Sequence, residues 1–146
     1  GFAPRTGAGA WFGGGLATLC EVLEEGEPRK TARASLRFAQ ALGLSHGSLM
    51  PPLASLLAAD PQTFRATRSV DVMLTWRGVS RIEVVPVPYV RAFAAAAFLR
   101  EYLEERWPAF ALAALKRGAT MAVLSEFGVP NEADLEKLYV TWLRIG

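Results

Sequence analysis

Hydrophobic and polar positions change period along this chain, and the changes mark out its elements. From Trp11 and Phe12 through Leu16, Leu19 and Leu23 the apolar residues recur at helical spacing, which predicts a first helix over 8–25 ending at Gly26. Pro28, tolerated in a first helical turn, opens a second helix over 29–42. Gly43 to Ser48 then read as a turn. Pro51-Pro52 precedes a short third helix over 53–59, stopped by Asp60-Pro61 because a residue before Pro avoids the helical region.

The period then drops to two. Val70, Val72, Leu74 and Trp76 alternate with Asp71, Met73 and Thr75, and Ile82, Val84 and Pro86 follow Arg77-Gly78-Val79. This predicts an antiparallel β-hairpin over 70–86. A three-residue loop at 77–79 sets Leu74 opposite Ile82, Val72 opposite Val84 and Val70 opposite Pro86, giving one apolar face. A slip of one residue turns every side chain to the other face, so the odd loop length is expected. Such a hairpin cannot stand alone and must lie on helices.

Helical spacing returns over 89–106, where Phe93, Phe98, Leu99, Tyr102 and Leu103 surround the run Ala94 to Ala97. Pro108 breaks that helix, and another covers 109–127 with a bend at Gly118. A final helix over 131–144 starts at the capping residue Asn131, with Glu132 and Asp134 in its first turn. The expectation is a mainly α (α+β minor) single domain over 1–146, with five to six helices and one antiparallel β-hairpin packed on them.

Composition narrows the class further. Of 146 residues 51% are hydrophobic and 21% charged, which excludes a disordered, collagen-like or disulfide-scaffold chain. Cys20 is the only cysteine and His46 the only histidine, so no intrachain disulfide and no bound metal are expected. The net charge of +2 is too small for a dedicated electrostatic binder. Its distribution is more telling. Glu21, Glu24, Glu25 and Glu27 are followed at once by Arg29, Lys30, Arg33 and Arg37, an arrangement that answers to itself or to a partner.

The chain begins with Gly rather than Met, which reads as a processed or partial start. Residues 6–20 are uncharged, but as a helix they span about 22 Å, short of the roughly 30 Å hydrocarbon thickness. No transmembrane helix is expected, and peripheral membrane contact is left open.

Motifs for chemistry are incomplete. Gly7-Ala8-Gly9-Ala10-Trp11-Phe12-Gly13 has the glycines of a dinucleotide loop, yet only six residues precede it, too few for the required strand. In Gly26 to Thr31 the glycine that precedes lysine in a phosphate loop is replaced by Arg29. His46-Gly47-Ser48 lacks the strand–turn–helix setting of a nucleophile elbow. No catalytic residue and no cofactor is expected, and the chain reads as a non-enzyme.

Residues 35–53, SLRFAQALGLSHGSLMPPL, resemble the helix-turn-helix signature of DNA-binding regulators. Ala39 stands at the close helix contact, Leu42 points inward, Gly43 marks the turn, and Leu44 and Leu49 are apolar. The resemblance implies a recognition helix after Gly43, a wing at 70–86 and a dimerisation helix at 89–106. Pro51 and Pro52 depart from it, falling where the recognition helix belongs.

Small and aromatic residues carry the leading expectation. Gly13, Gly14 and Gly15 each cost a helix about 1 kcal/mol relative to Ala, so they predict a close backbone approach. They and the run with Ala94 and Ala97 are the candidate close-packing sites, and Arg29, Arg33 and Arg37 the candidate charged dock. Trp107 joins Trp11, Phe12, Trp76, Phe110 and Trp142 among aromatics of the kind enriched at interfaces. The expected role is a non-catalytic accessory subunit docking with other protein subunits in a larger, membrane-associated organellar assembly. The alternative is the DNA-binding regulator, with nucleic acid as partner.

Overall fold

The computed structural model describes residues 11–24, 35–46, 50, 52–58 and 69–145. Among these residues the chain is mainly α, with one two-stranded antiparallel sheet. In order come α1 (Phe12–Glu24), α2 (Leu36–His46), α3 (Leu53–Ala58), β1 (Ser69–Trp76), β2 (Val79–Pro86) and α4 (Val87–Leu103). A 3-10 turn (Glu104–Arg106) leads into α5 (Trp107–Arg117), α6 (Met121–Ser125) and α7 (Glu132–Ile145).

Helix α4 is the axis of the fold. A helix that is apolar all round belongs inside a protein, and α4 exposes only Tyr89, Arg100 and Glu101. Ala94 to Ala97 are all essentially inaccessible, and their small side chains let neighbouring elements come close. α1 packs along α4, while α2, α5, α7 and the base of the hairpin complete the surround. Two aromatic clusters fill the space. Phe12 meets Trp11, Trp107 and Phe110 at centroid distances of 5.6, 5.7 and 5.6 Å. Trp142 meets Phe38 at 5.2 Å and Phe98 at 5.7 Å.

Local chemistry explains several boundaries. Ser35 caps α2, its Oγ accepting the Phe38 N–H at 3.1 Å, and Asn131 caps α7 by accepting the Asp134 N–H at 2.8 Å. α4 stops where Glu104 turns to φ 52°. There Arg106 folds back, donating to the carbonyls of Leu103 at 3.2 Å and Tyr102 at 3.4 Å, so a cation covers a helix C-terminus. Its Nη1 also donates to the Phe127 carbonyl at 2.6 Å, tying the end of α6 to the same corner.

Helix α2 begins at Leu36 under its Ser35 cap, so the helix expected over 29–42 is not continuous through Ser35, and four further expectations need correction. The stretch from Gly43 to His46 is helical rather than a turn, because α2 runs on across the hairpin. Helix α4 begins at Val87, directly after the strand, with Pro88 in its first turn where no N–H is needed, and it ends at Leu103. The helix expected over 109–127 is two helices, since Gly118 at φ 90° ends α5 and Thr120 starts α6 by accepting the Val123 N–H. The hairpin register is the fourth. Arg77 and Gly78 alone form the loop, both at positive φ (53° and 78°), as in the two-residue turns whose twist suits a hairpin. Leu74 therefore pairs with Arg81, Val72 with Glu83 and Val70 with Val85.

Candidate functional site

The register decides what the hairpin shows to solvent. Directly opposed residues share a face, so Val72, Leu74, Arg81, Glu83 and Val85 point towards the helices and Asp71, Met73, Thr75, Ser80, Ile82 and Val84 point away. α2 lies over β1, with Gly43 at the crossing. A Cβ on Gly43 would stand 2.5 Å from Val72 Cγ1 and 3.1 Å from the Met73 carbonyl oxygen. Val72 and Leu74 are thus buried, while Arg81, on the same face of β2, extends past the helical layer into solvent. There Arg81 Nε donates to Glu83 Oε2 at 2.6 Å, and Nη2 lies 2.6 Å from the same oxygen as an ion pair.

The other face is uncovered by any described residue. Met73 is 60% exposed and its cross-strand partner Ile82 65%, with Val84 beside Asp71 at 67%. Thr75 and Ser80 share a hydroxyl hydrogen bond of 2.7 Å at the turn end, where the Arg77 guanidinium sits 4.3 Å from the Trp76 ring centroid. Large apolar side chains on one sheet face, rimmed by polar groups, are the usual marks of a surface that meets another molecule.

A buried polar cluster joins α3, α4 and α7. Arg91 is 6% exposed; its Nη2 donates to Ser55 Oγ at 2.6 Å, and its Nε finds no partner among the described residues. Burial lowers the proton affinity of that guanidinium, opposed by the nearby Tyr139. Burial also pushes the Tyr139 phenol well above its ordinary value; the Glu136 charge adds to this and Arg91 opposes it. Arg91 on α4 thus bonds α3 directly through Ser55 and lies close enough to Tyr139 on α7 for their charges to interact.

The residues singled out in the sequence take different places. Gly15 makes the close approach expected of it, but inside the chain: a Cβ there would lie 2.6 Å from the Ala92 carbonyl oxygen on α4. Gly13 and Gly14 face open space. Ala94 and Ala97 belong to the chain's own core and are not presented to a partner. Trp107 is half-buried between Phe12 and Phe110. Of the aromatics read as interfacial, Trp11, Phe12, Phe110 and Trp142 are buried. Arg37 donates to Gln40 Oε1 at 3.1 Å, whereas Arg29 and Arg33 lie outside the described residues. α3, where a recognition helix was implied, buries Leu53, Leu56 and Leu57 and exposes only Ser55 and Ala58.

Met73, Ile82 and Val84 were missed as surface residues. The signal was present in Arg77-Gly78, since a glycine at the second loop position favours a two-residue turn and with it the outward register. Among the described residues no helix is long and apolar enough to cross a membrane, and no group of three or more His, Cys, Asp or Glu is placed to hold a metal ion. Comparison with protein-family models, curated proteins and solved structures finds no match to this chain.

Proposed function

We propose that this chain is a non-catalytic accessory subunit that docks onto another protein through the outer face of its β-hairpin. The observation that supports this reading is the exposure of Met73, Ile82 and Val84 together on one side of a sheet whose opposite side carries part of the core. Burying these three side chains contributes about 1.5–3 kcal/mol each where the partner surface is apolar. Asp71, Thr75 and Ser80 form a polar rim that fixes orientation. The helical core serves as a rigid mount for that face, with α2 holding β1 from behind.

The test is photo-crosslinking from position 73 in the tagged chain within its source cells. A defined protein should crosslink to the wild-type background and be lost when Ile82→Ser and Val84→Ser are introduced, with circular dichroism unchanged. Identical crosslinks with and without the two substitutions would overturn the reading. So would flotation of the purified chain with phosphatidylglycerol-containing vesicles that depends on the same two residues.

A further inference from the structure

We propose that β2 pairs edge to edge with β2 of a second copy, in antiparallel register centred on Ile82. The result is a two-fold dimer with a continuous four-stranded sheet. This goes beyond the docking reading and stands on different observations, namely the open strand edge and the charge order along it.

The edge follows from the turn. Trp76 and Val79 flank the two-residue loop as a hydrogen-bonded pair, and bonded pairs recur at every second position: Leu74 with Arg81, Val72 with Glu83, Val70 with Val85. The backbone N–H and C=O groups of Ser80, Ile82 and Val84 therefore point away from β1. No third strand of the described residues lies beyond β2, and Val79 to Ile82 and Val84 are exposed. An open edge is a template for pairing unless something blocks it.

Charges on an edge usually serve as that block, and here they do the opposite. Centred on Ile82, the antiparallel pairing places Ile82 against Ile82 of the second copy and Ser80 against its Val84. These are the residues whose backbone groups are free to bond. Arg81 then stands opposite Glu83 of the second copy, and Glu83 opposite its Arg81. The four side chains form a square of alternating sign, in which each arginine keeps its own Glu83 as neighbour. Val79, 58% exposed, falls opposite Val85 of the second copy.

Neighbouring registers fail on the same ground. Shifting the centre to Arg81 opposes two arginines, and shifting it to Glu83 opposes two glutamates, both destabilising. The free edge of β1 has no such complementarity, since Asp71 is its only charged residue. A self-complementary Arg-Ile-Glu order is what a two-fold axis through Ile82 requires, because each surface must fit its own copy. The dimer also doubles the outer apolar face, lining Met73 and Ile82 up with the same pair of the second copy.

Charge swapping separates this arrangement from every other. Sedimentation equilibrium of the purified chain should show a monomer–dimer equilibrium. Arg81→Glu should raise its dissociation constant about tenfold or more, and adding Glu83→Arg to that variant should restore it. The amides of Ser80, Ile82 and Val84 should exchange more slowly as concentration rises through the dimer range. A wild-type chain monomeric to millimolar concentration overturns the proposal. A dimer indifferent to Arg81→Glu but lost with Met73→Ser overturns it too, by showing face-to-face packing instead. Absence of any crosslink from position 73 to another protein in the wild-type background, with the dimer intact, would strike only the docking reading.

Discussion

The Glu136 carboxylate on α7 accepts the backbone N–H of Leu53 at 3.1 Å, across 83 positions of sequence. Its second oxygen accepts the Ala54 N–H at 3.0 Å. One side chain thus satisfies two of the bare donors that start α3, and supplies negative charge at the end of the helix that favours it. A helix as short as α3 has little stability of its own, so this remote cap is part of why it forms. Glu136→Ala should lower stability by about 1–2 kcal/mol in urea unfolding, with Glu136→Gln between it and wild type. Equal stability for all three would show that solvent caps α3 equally well.

The three consecutive glycines of α1 should separate cleanly. Gly13 and Gly14 face open space, so replacing either by Ala should raise stability by about 0.5–1 kcal/mol through helix propensity. Gly15→Ala should lower it by about 1–3 kcal/mol, because the new methyl meets the Ala92 carbonyl oxygen, a backbone atom that cannot swing aside. Thermal melts of the three variants decide the point, and a common sign for all three would contradict the α1–α4 approach.

Arg91 is a buried cation whose Nε has no partner among the described residues. Exchanging a buried charge for an apolar side chain of similar length is often neutral or stabilising, whereas removing its bulk leaves a hole. Arg91→Met should therefore hold stability level or raise it by about 1–2 kcal/mol, while Arg91→Ala should lose at least about 2 kcal/mol. A large loss on Arg91→Met, measured by denaturant titration, would show that the guanidinium holds α3 and α7 through its charge.

Tyr139 gives stability a pH dependence on the alkaline side. Burial raises its folded value above the ordinary 10.0, so between the two values the unfolded chain has lost a proton that the folded chain retains. Stability is fully present below pH 10 and falls as pH rises beyond it. Tyr139→Phe should flatten that alkaline slope, and phenolate absorbance at high pH should lose the phase that appears only as the wild-type chain unfolds. An unchanged slope would assign the alkaline loss to other groups.

At acid pH the exposed Arg117–Glu126 pair acts with opposite sign. Its two hydrogen bonds of 2.7 and 2.6 Å hold the Glu126 carboxyl below its ordinary value, the hydrogen bond being the larger cause. The stabilisation is present above the ordinary carboxylate range and is lost as pH falls through the folded value. Exposed pairs contribute little, so Glu126→Gln should differ only slightly from wild type at pH 7, and the difference should vanish in acid.

The helices were legible because their signals are local. Asn131 with its following acids announced α7, the apolar spacing around Ala94 to Ala97 announced α4, and Gly15 announced a close contact. The hairpin too was visible in its alternation. Its register was not, since matching Leu74 to Ile82 assumed that helices would cover both strands. α2 covers β1, and on β2 only Val85 is buried. With α2 seated on β1 through Gly43, β2 needs an apolar inner residue only at Val85, so Arg81 stays exposed and Glu83 only part-buried on the same face.

By itself, then, the amino-acid order determined the class of fold, most element positions and the small residues that permit close packing, because propensity, capping and periodicity act within a few residues. Tertiary structure alone decided which surfaces are spent inside. It took the Ala94 to Ala97 run and most of the aromatics into the core and turned Met73, Ile82 and Val84 outward. The reason is geometric: which face of an element is exposed depends on what lies across from it, and that neighbour is dozens of residues away in sequence.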